Sequence, residues 1–222
     1  NSGVNCDLIH RELSPNGNLW LPNQGYISAQ NQNLGSFKTD GIDLTVNYTM
    51  PIADYGSLGF SFQGTWVKEF LVEPNPGLGS YDCVGLYGPS CGVPVPQWRH
   101  KAQAIWNTPW NVSAALTWRY IDSVDVTYSS SSPFLTGAFS PLDANIGAQS
   151  YFDLAVLWNV NKNFSIRAGA NNLFDKDPPV VSSNAGAFPA VAGPSVFGNG
   201  NTFPQVYDSL GRTLFLTITA KF

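Results

Sequence analysis

Charge is what this chain of 222 residues has least of. Asp, Glu, Lys and Arg together make up 12% of it, against about 25% in an average soluble domain. Half the usual charged surface is missing, which fits poorly with a protein wetted on all sides. Disorder is excluded from the other direction, because aromatic residues reach 14% and hydrophobic ones 43%. No apolar run approaches the 18 residues of a transmembrane helix. A formal net charge of −4 argues against a nucleic-acid partner. Histidines number two, His10 and His100, and no Cys/His or Ser/His/Asp set has a supporting context, so no enzyme, cofactor or metal is expected. "GPSCG" at 88–92 matches a nucleophile elbow only formally. Ser90 sits between two cysteines in a Pro-rich loop with no helix pattern after it. No signal peptide is visible.

What the chain does have is alternation. "RTLFLTITAKF" at 212–222 sends Leu214, Leu216, Ile218, Ala220 and Phe222 to one side, and Thr213, Phe215, Thr217, Thr219 and Lys221 to the other. The same period of two appears in "DGIDLTVNYTM" (40–50), with a start as early as Tyr26 open, in "LGFSFQGTW" (58–66), and across 98–108. It returns in "NVSAALTWRYI" (111–121), "YFDLAVLWNV" (151–160) and "FSIRAGANNLF" (164–174). About seven strands result. Their connections alternate: "IADYGS", "TPWN" and "VNKN" are short, whereas 73–97, 123–149 and 175–211 are long and rich in Gly, Pro, Ser and Asn. Short turns on one side, long loops on the other and tryptophans near strand ends are the pattern of an antiparallel transmembrane β-barrel. The fold class expected is therefore all-β. A soluble sandwich is the alternative, with the alternating aromatics as its core.

Two segments carry a family resemblance. "GANNLFDKDPP" at 169–179 and "YDSLGRTLFLTITAKF" at 207–222 resemble the last two strands of TonB-dependent outer-membrane receptors. "NLGSFKTDGIDLTVNYTM" at 33–50 and "YDCVGLYGPSCG" with the strand after it resemble earlier parts of the same barrel. The resemblance implies that residues 1–222 are the C-terminal part of a 22-stranded, plugged barrel, with the plug domain absent. An odd strand number agrees, because bacterial single-chain barrels close with an even one. The leftover Cys6 agrees too, if its partner lies upstream. The implied setting is the bacterial outer membrane, with lipid around the wall. The implied partners are a small-molecule nutrient, the TonB complex through the missing plug, and the barrel-assembly machinery through the C-terminal strand. Leu214, Leu216, Ile218 and Phe222 would form that C-terminal signal. A small stand-alone barrel, with residues 1–26 adding an eighth strand, is the alternative.

Candidate sites follow from compartment and parity. Cys83 and Cys91 are expected to form a disulfide in an oxidising compartment; a metal site with His100 matches no standard zinc spacing. Parity puts Asp43, Glu69, Arg99, Lys101, Arg119, Asp153, Arg167 and Lys221 on the lumen face. They would either face the plug and the translocation path or pair across neighbouring strands. Arg99, Lys101 and Arg119 make the most basic patch. Loop aromatics, among them Tyr81, Tyr87, Phe134 and Phe203, are either ligand contacts on a rigid wall or loop packing over the barrel mouth. "SSSSPFLTGAFSP" (129–141) and the segment from 182 to 201 read as mobile.

Overall fold

The computed structural model describes residues 8–11, 25–28, 35–77, 79–181 and 201–221. The chain divides into two compact units, Asn1–Gly35 and Ser36–Phe222. In the first, β1 (Ile9–His10) pairs antiparallel with β2 (Tyr26–Ile27). The His10 ring stacks on Tyr26 at 4.3 Å. Tyr26 therefore belongs to this short ladder rather than to the first long strand.

The second unit begins with β3 (Ser36–Pro51) and β4 (Ser57–Glu73). Three short strands follow, β5 (Tyr81–Asp82), β6 (Leu86–Gly88) and β7 (Gly92–Val95), then the long β8 (Trp98–Asn107) and β9 (Val112–Ile121). After β10 (Val124–Val126) and β11 (Asn145–Ile146), the chain completes β12 (Gln149–Asn159), β13 (Phe164–Asn171) and β14 (Thr213–Ala220). The long strands form one antiparallel wall in the order β14-β13-β12-β9-β8-β4-β3, with β5 added on β4. Among the described residues β3 and β14 do not pair, so the barrel is open.

Register carries the sequence alternation across the wall. Leu44, Gly64, His100 and Tyr120 form one cross-strand row, and Val46, Phe62, Ala102, Trp118 and Phe152 form the next. Tyr48, Phe60, Ala104, Leu116, Leu154, Ala170 and Leu214 continue it. Every one of these lies on one face, because cross-strand partners share a face. The opposite face carries rows such as Thr45, Gln63, Lys101, Arg119 and Tyr151. The apolar face is bounded by tryptophans: Trp66 and Trp98 toward the long loops, Trp106 and Trp158 toward the short turns. Eight residues of β4 separate the Trp66 and Leu58 rows, roughly 26 Å along a strand. Tilted by about 40°, that span approaches the apolar band of an outer-membrane barrel.

The short turns are tight. At Ala53–Tyr55 the chain reverses into Gly56, whose φ is 95°. A Cβ there would meet the Asn107 carbonyl oxygen at 2.0 Å, so glycine is the residue that fits.

The described parts of the long loops are packed. A second sheet, β11-β10-β6-β7, stands above the wall. Its β10–β6 contact is parallel and the others antiparallel. Tyr87, Val124, Val126, Ile146, Val181, Phe203 and Tyr207 form its buried cluster, drawn from all three long connections. The segment 129–141, read from composition as mobile, contributes the buried Leu135 and packs Phe139 against this cluster. The expectation overlooked that widely spaced apolar residues can find one shared core. Residues 182–200 lie outside the described ones.

Candidate functional site

The polar face is organised around Arg119. Its Nε and one Nη donate to the two carboxylate oxygens of Asp153 at 2.8 and 2.9 Å. Both Nη atoms also donate to Asp208, at 2.9 and 2.5 Å. The guanidinium sits over the Tyr151 ring, 5.2 Å from its centroid. One planar cation thus ties β9 to β12 and to the connection before β14. Arginine suits this because its fork meets two carboxylates edge-on.

The motif "NNLFDKDPP" explains how that connection leaves and returns. Asn172, at φ 51°, donates its backbone N–H to Asp153 at 2.9 Å, and its side chain bonds both the N–H and the C=O of Lys176. Asp175 accepts from the Arg212 N–H at 2.7 Å. Both ends of the last long loop are pinned to the wall and to each other. The residues that carry the sequence resemblance therefore act here as a knot.

Arg99, Lys101, Arg119 and Asp43 line one open groove of about 450 Å3 on the polar face, together with Gln63 and Thr65. Lys101 lies directly opposite Arg119 in the register, a like-charge pair that costs energy unless counter-charged. Asp153 and Asp208 neutralise Arg119. Among the described residues Arg99 and Lys101 make no ion pair. Asp43 accepts from the Thr65 hydroxyl at 2.7 Å. Arg167 stands apart over the Phe215 ring at 5.2 Å, although it shares a 230 Å3 cavity with Lys101, Arg119 and Asp153.

Two of the eight charges fall elsewhere. Between Asp40 and Gly41 the register slips: Gly41 faces Val67 but Asp40 faces Glu69, leaving Lys68 as an extra residue. This bulge moves Glu69 onto the face of Asp40, where it bonds Lys38 at 3.1 Å. Glu69 is therefore not on the polar face that continuous alternation assigned to it. Lys221 lies past the end of β14, at the short-turn rim, where its backbone pairs with Asn163 at 2.9 Å. It is far along the strand from the groove. Leu214, Leu216 and Ile218 line the exposed apolar face of β14; Phe222 and Cys6 lie outside the described residues.

Cys83 and Cys91 are joined in a disulfide with Cα atoms 5.5 Å apart. Cys83 is fully buried and its N–H donates to Phe70 C=O at 2.9 Å, fastening the loop to the top of β4. In the loop core the Tyr87 hydroxyl donates to the Asp143 carbonyl. Burial pushes the Tyr87 and Tyr207 phenols well above their usual range. These two tyrosines are core rather than ligand contacts. Phe134 and Tyr81 stay accessible.

Sequence reasoning missed Asp208, Tyr151 and Asn172. Asp208 lies in a connection, where parity assigns no face.

The sequence pattern that defines the "TonB dependent receptor-like, beta-barrel" family matches residues 7–173. The chain belongs to this family. No curated protein matches the sequence. Its fold is similar to solved ferric enterobactin receptors of Pseudomonas aeruginosa. A single mutant aligns at TM-score 0.53 and 17% identity, and a double mutant at 0.53 and 18%. Another single mutant, in complex with enterobactin, aligns at 0.51 and 16%. Each alignment covers 83% of this chain and 22% of that receptor. The chain thus spans about a fifth of the length of these barrels, which agrees with an open wall. This TonB-dependent receptor wall lies in the bacterial outer membrane. The family is one of receptors and transporters rather than enzymes.

Proposed function

We propose that the chain forms the C-terminal wall and outer loops of a receptor that takes up a scarce nutrient, driven through TonB. Of metal chelates, cobalamin and oligosaccharides, an anionic metal chelate fits best. The observation that carries this is the groove in which Arg99 and Lys101 make no ion pair among the described residues, on the polar face under the loop core. On this reading the polar face lines the lumen. Contact with TonB would run through a plug domain and contact with the assembly machinery through β14. A small closed barrel is disfavoured, since β3 and β14 stand at opposite ends of the strand order.

Replacing Arg99 and Lys101 by Gln in the intact receptor tests this. Each lost charge-assisted contact is worth roughly 1.5 kcal/mol or more, about tenfold in affinity. Binding of a ferric catecholate chelate should fall by about tenfold or more, with the unfolding midpoint unchanged. Unaltered binding would assign these cations to the wall or the plug.

A further inference from the structure

The apolar face of the wall is not smooth. On β8 it carries Ala102 and Ala104, between His100 and Trp106. The register sets Ala102 between Phe62 of β4 and Trp118 of β9, and Ala104 between Phe60 and Leu116. Two methyl side chains flanked on both sides by large ones leave a groove of about 440 Å3.

Its walls are held in place. Trp118 stacks on Phe152 with rings 5° from parallel, and its Nε1 donates to Ser150 Oγ at 3.2 Å. Phe62 stacks on the His100 ring at 5.3 Å. Toward the long loops, beyond the groove, His100 Nδ1 accepts from Trp98 Nε1 at 2.8 Å. Toward the short turns, beyond the groove, Trp106 Nε1 donates to the Tyr55 carbonyl at 2.9 Å. The slot is therefore formed before anything enters it.

We propose that this groove seats one fatty-acyl chain of an outer-membrane lipid in a fixed position. The groove is continuous with the apolar face of the wall, and its lining is mainly apolar, with Ser61 and Gln103 among the residues that border it. Its width decides between occupants. Beside Ala102 and Ala104 the walls, Phe60 and Phe62 on β4 and Leu116 and Trp118 on β9, stand two strand spacings apart, about 9.6 Å between backbones, and their rings narrow that gap further; Val46 and Tyr48 of β3 and Phe152 of β12 extend the lining beyond them. A protein helix is about 10–12 Å across and does not fit; an extended acyl chain does. The inference rests on the outer-membrane placement and not on the nutrient that the receptor takes up.

Native mass spectrometry of the intact receptor in mild detergent, purified from outer membranes, tests it. Ala102→Leu with Ala104→Leu fills the slot with apolar volume. Ala114→Leu, on the same face but outside the slot, is the control, and Ala104→Leu alone serves if the double variant does not fold. Native receptor and A114L should retain one lipid that the filled variants lack. Equal lipid retention in all forms overturns the proposal. So does retention of a protein partner, or of a second copy, that the filled variants lose.

Discussion

Arg119→Ala should release the last long loop from the wall. The substitution leaves Asp153 and Asp208 facing each other without their shared cation. Their side chains are only 19% and 26% exposed, and that of Arg119 30%. Removing one partner from a buried pair costs about 3–5 kcal/mol; partial exposure lowers this to about 2–3 kcal/mol. The loss is local. The wall keeps its ladders, whereas the connection carrying Asp208 keeps the pins at Asn172 and Asp175 and the packing of Val181, Phe203 and Tyr207. Trypsin cleavage at Arg212 in the intact receptor should therefore speed up by about tenfold or more, with wall stability little changed. Arg119→Lys should not restore protection, because one ammonium cannot span two carboxylates edge-on. Cleavage at the native rate in R119A would show that the loop core alone holds the strap.

Leu116→Lys should be costly and Asn47→Lys should not. Leu116 lies mid-height on the apolar face, between Ala104 and Leu154 in the register. Lysine at the bilayer midplane of an outer-membrane barrel costs about 2–4 kcal/mol. Asn47 lies on the opposite face, exposed and beside Ser61, where an ammonium stays in a polar setting. Chaotrope unfolding of the intact receptor in lipid vesicles should separate the two variants by at least about 2 kcal/mol. Equal costs would mean that both faces meet the same medium.

Much of the wall was legible because one face is uniformly apolar. That condition fixes parity, and with it register, strand by strand. Ala102, Trp118 and Phe152 fall in one row in the structure, as their alternating positions require. Parity failed at Glu69, where the bulge beside Lys68 inserts one residue and turns the strand over. Nothing in "TWVKEF" marks that insertion, since charged residues are tolerated on either side above the apolar band. The loops were less legible still. β6 and β10 have three residues each, too few to show a period. The buried cluster forms from residues as distant as Tyr87 and Tyr207, a contact that no local pattern encodes. For the polar site, parity supplied Arg119 and Asp153. The second carboxylate, Asp208, comes from a connection where side-chain direction depends on the folded loop.

The central claim is that the wall separates lipid from an aqueous interior. Spin labels placed singly at residues 152 to 158 of β12, in the intact receptor with Cys6 replaced, test this most directly. Collision with oxygen should be high at 152, 154, 156 and 158. Collision with a water-soluble nickel chelate should be high at 153, 155 and 157. This period of two would match the register that puts Phe152, Leu154 and Val156 beside Trp118, Leu116 and Ala114. Uniform accessibility along the strand, or nickel contact at the apolar positions, would contradict the account.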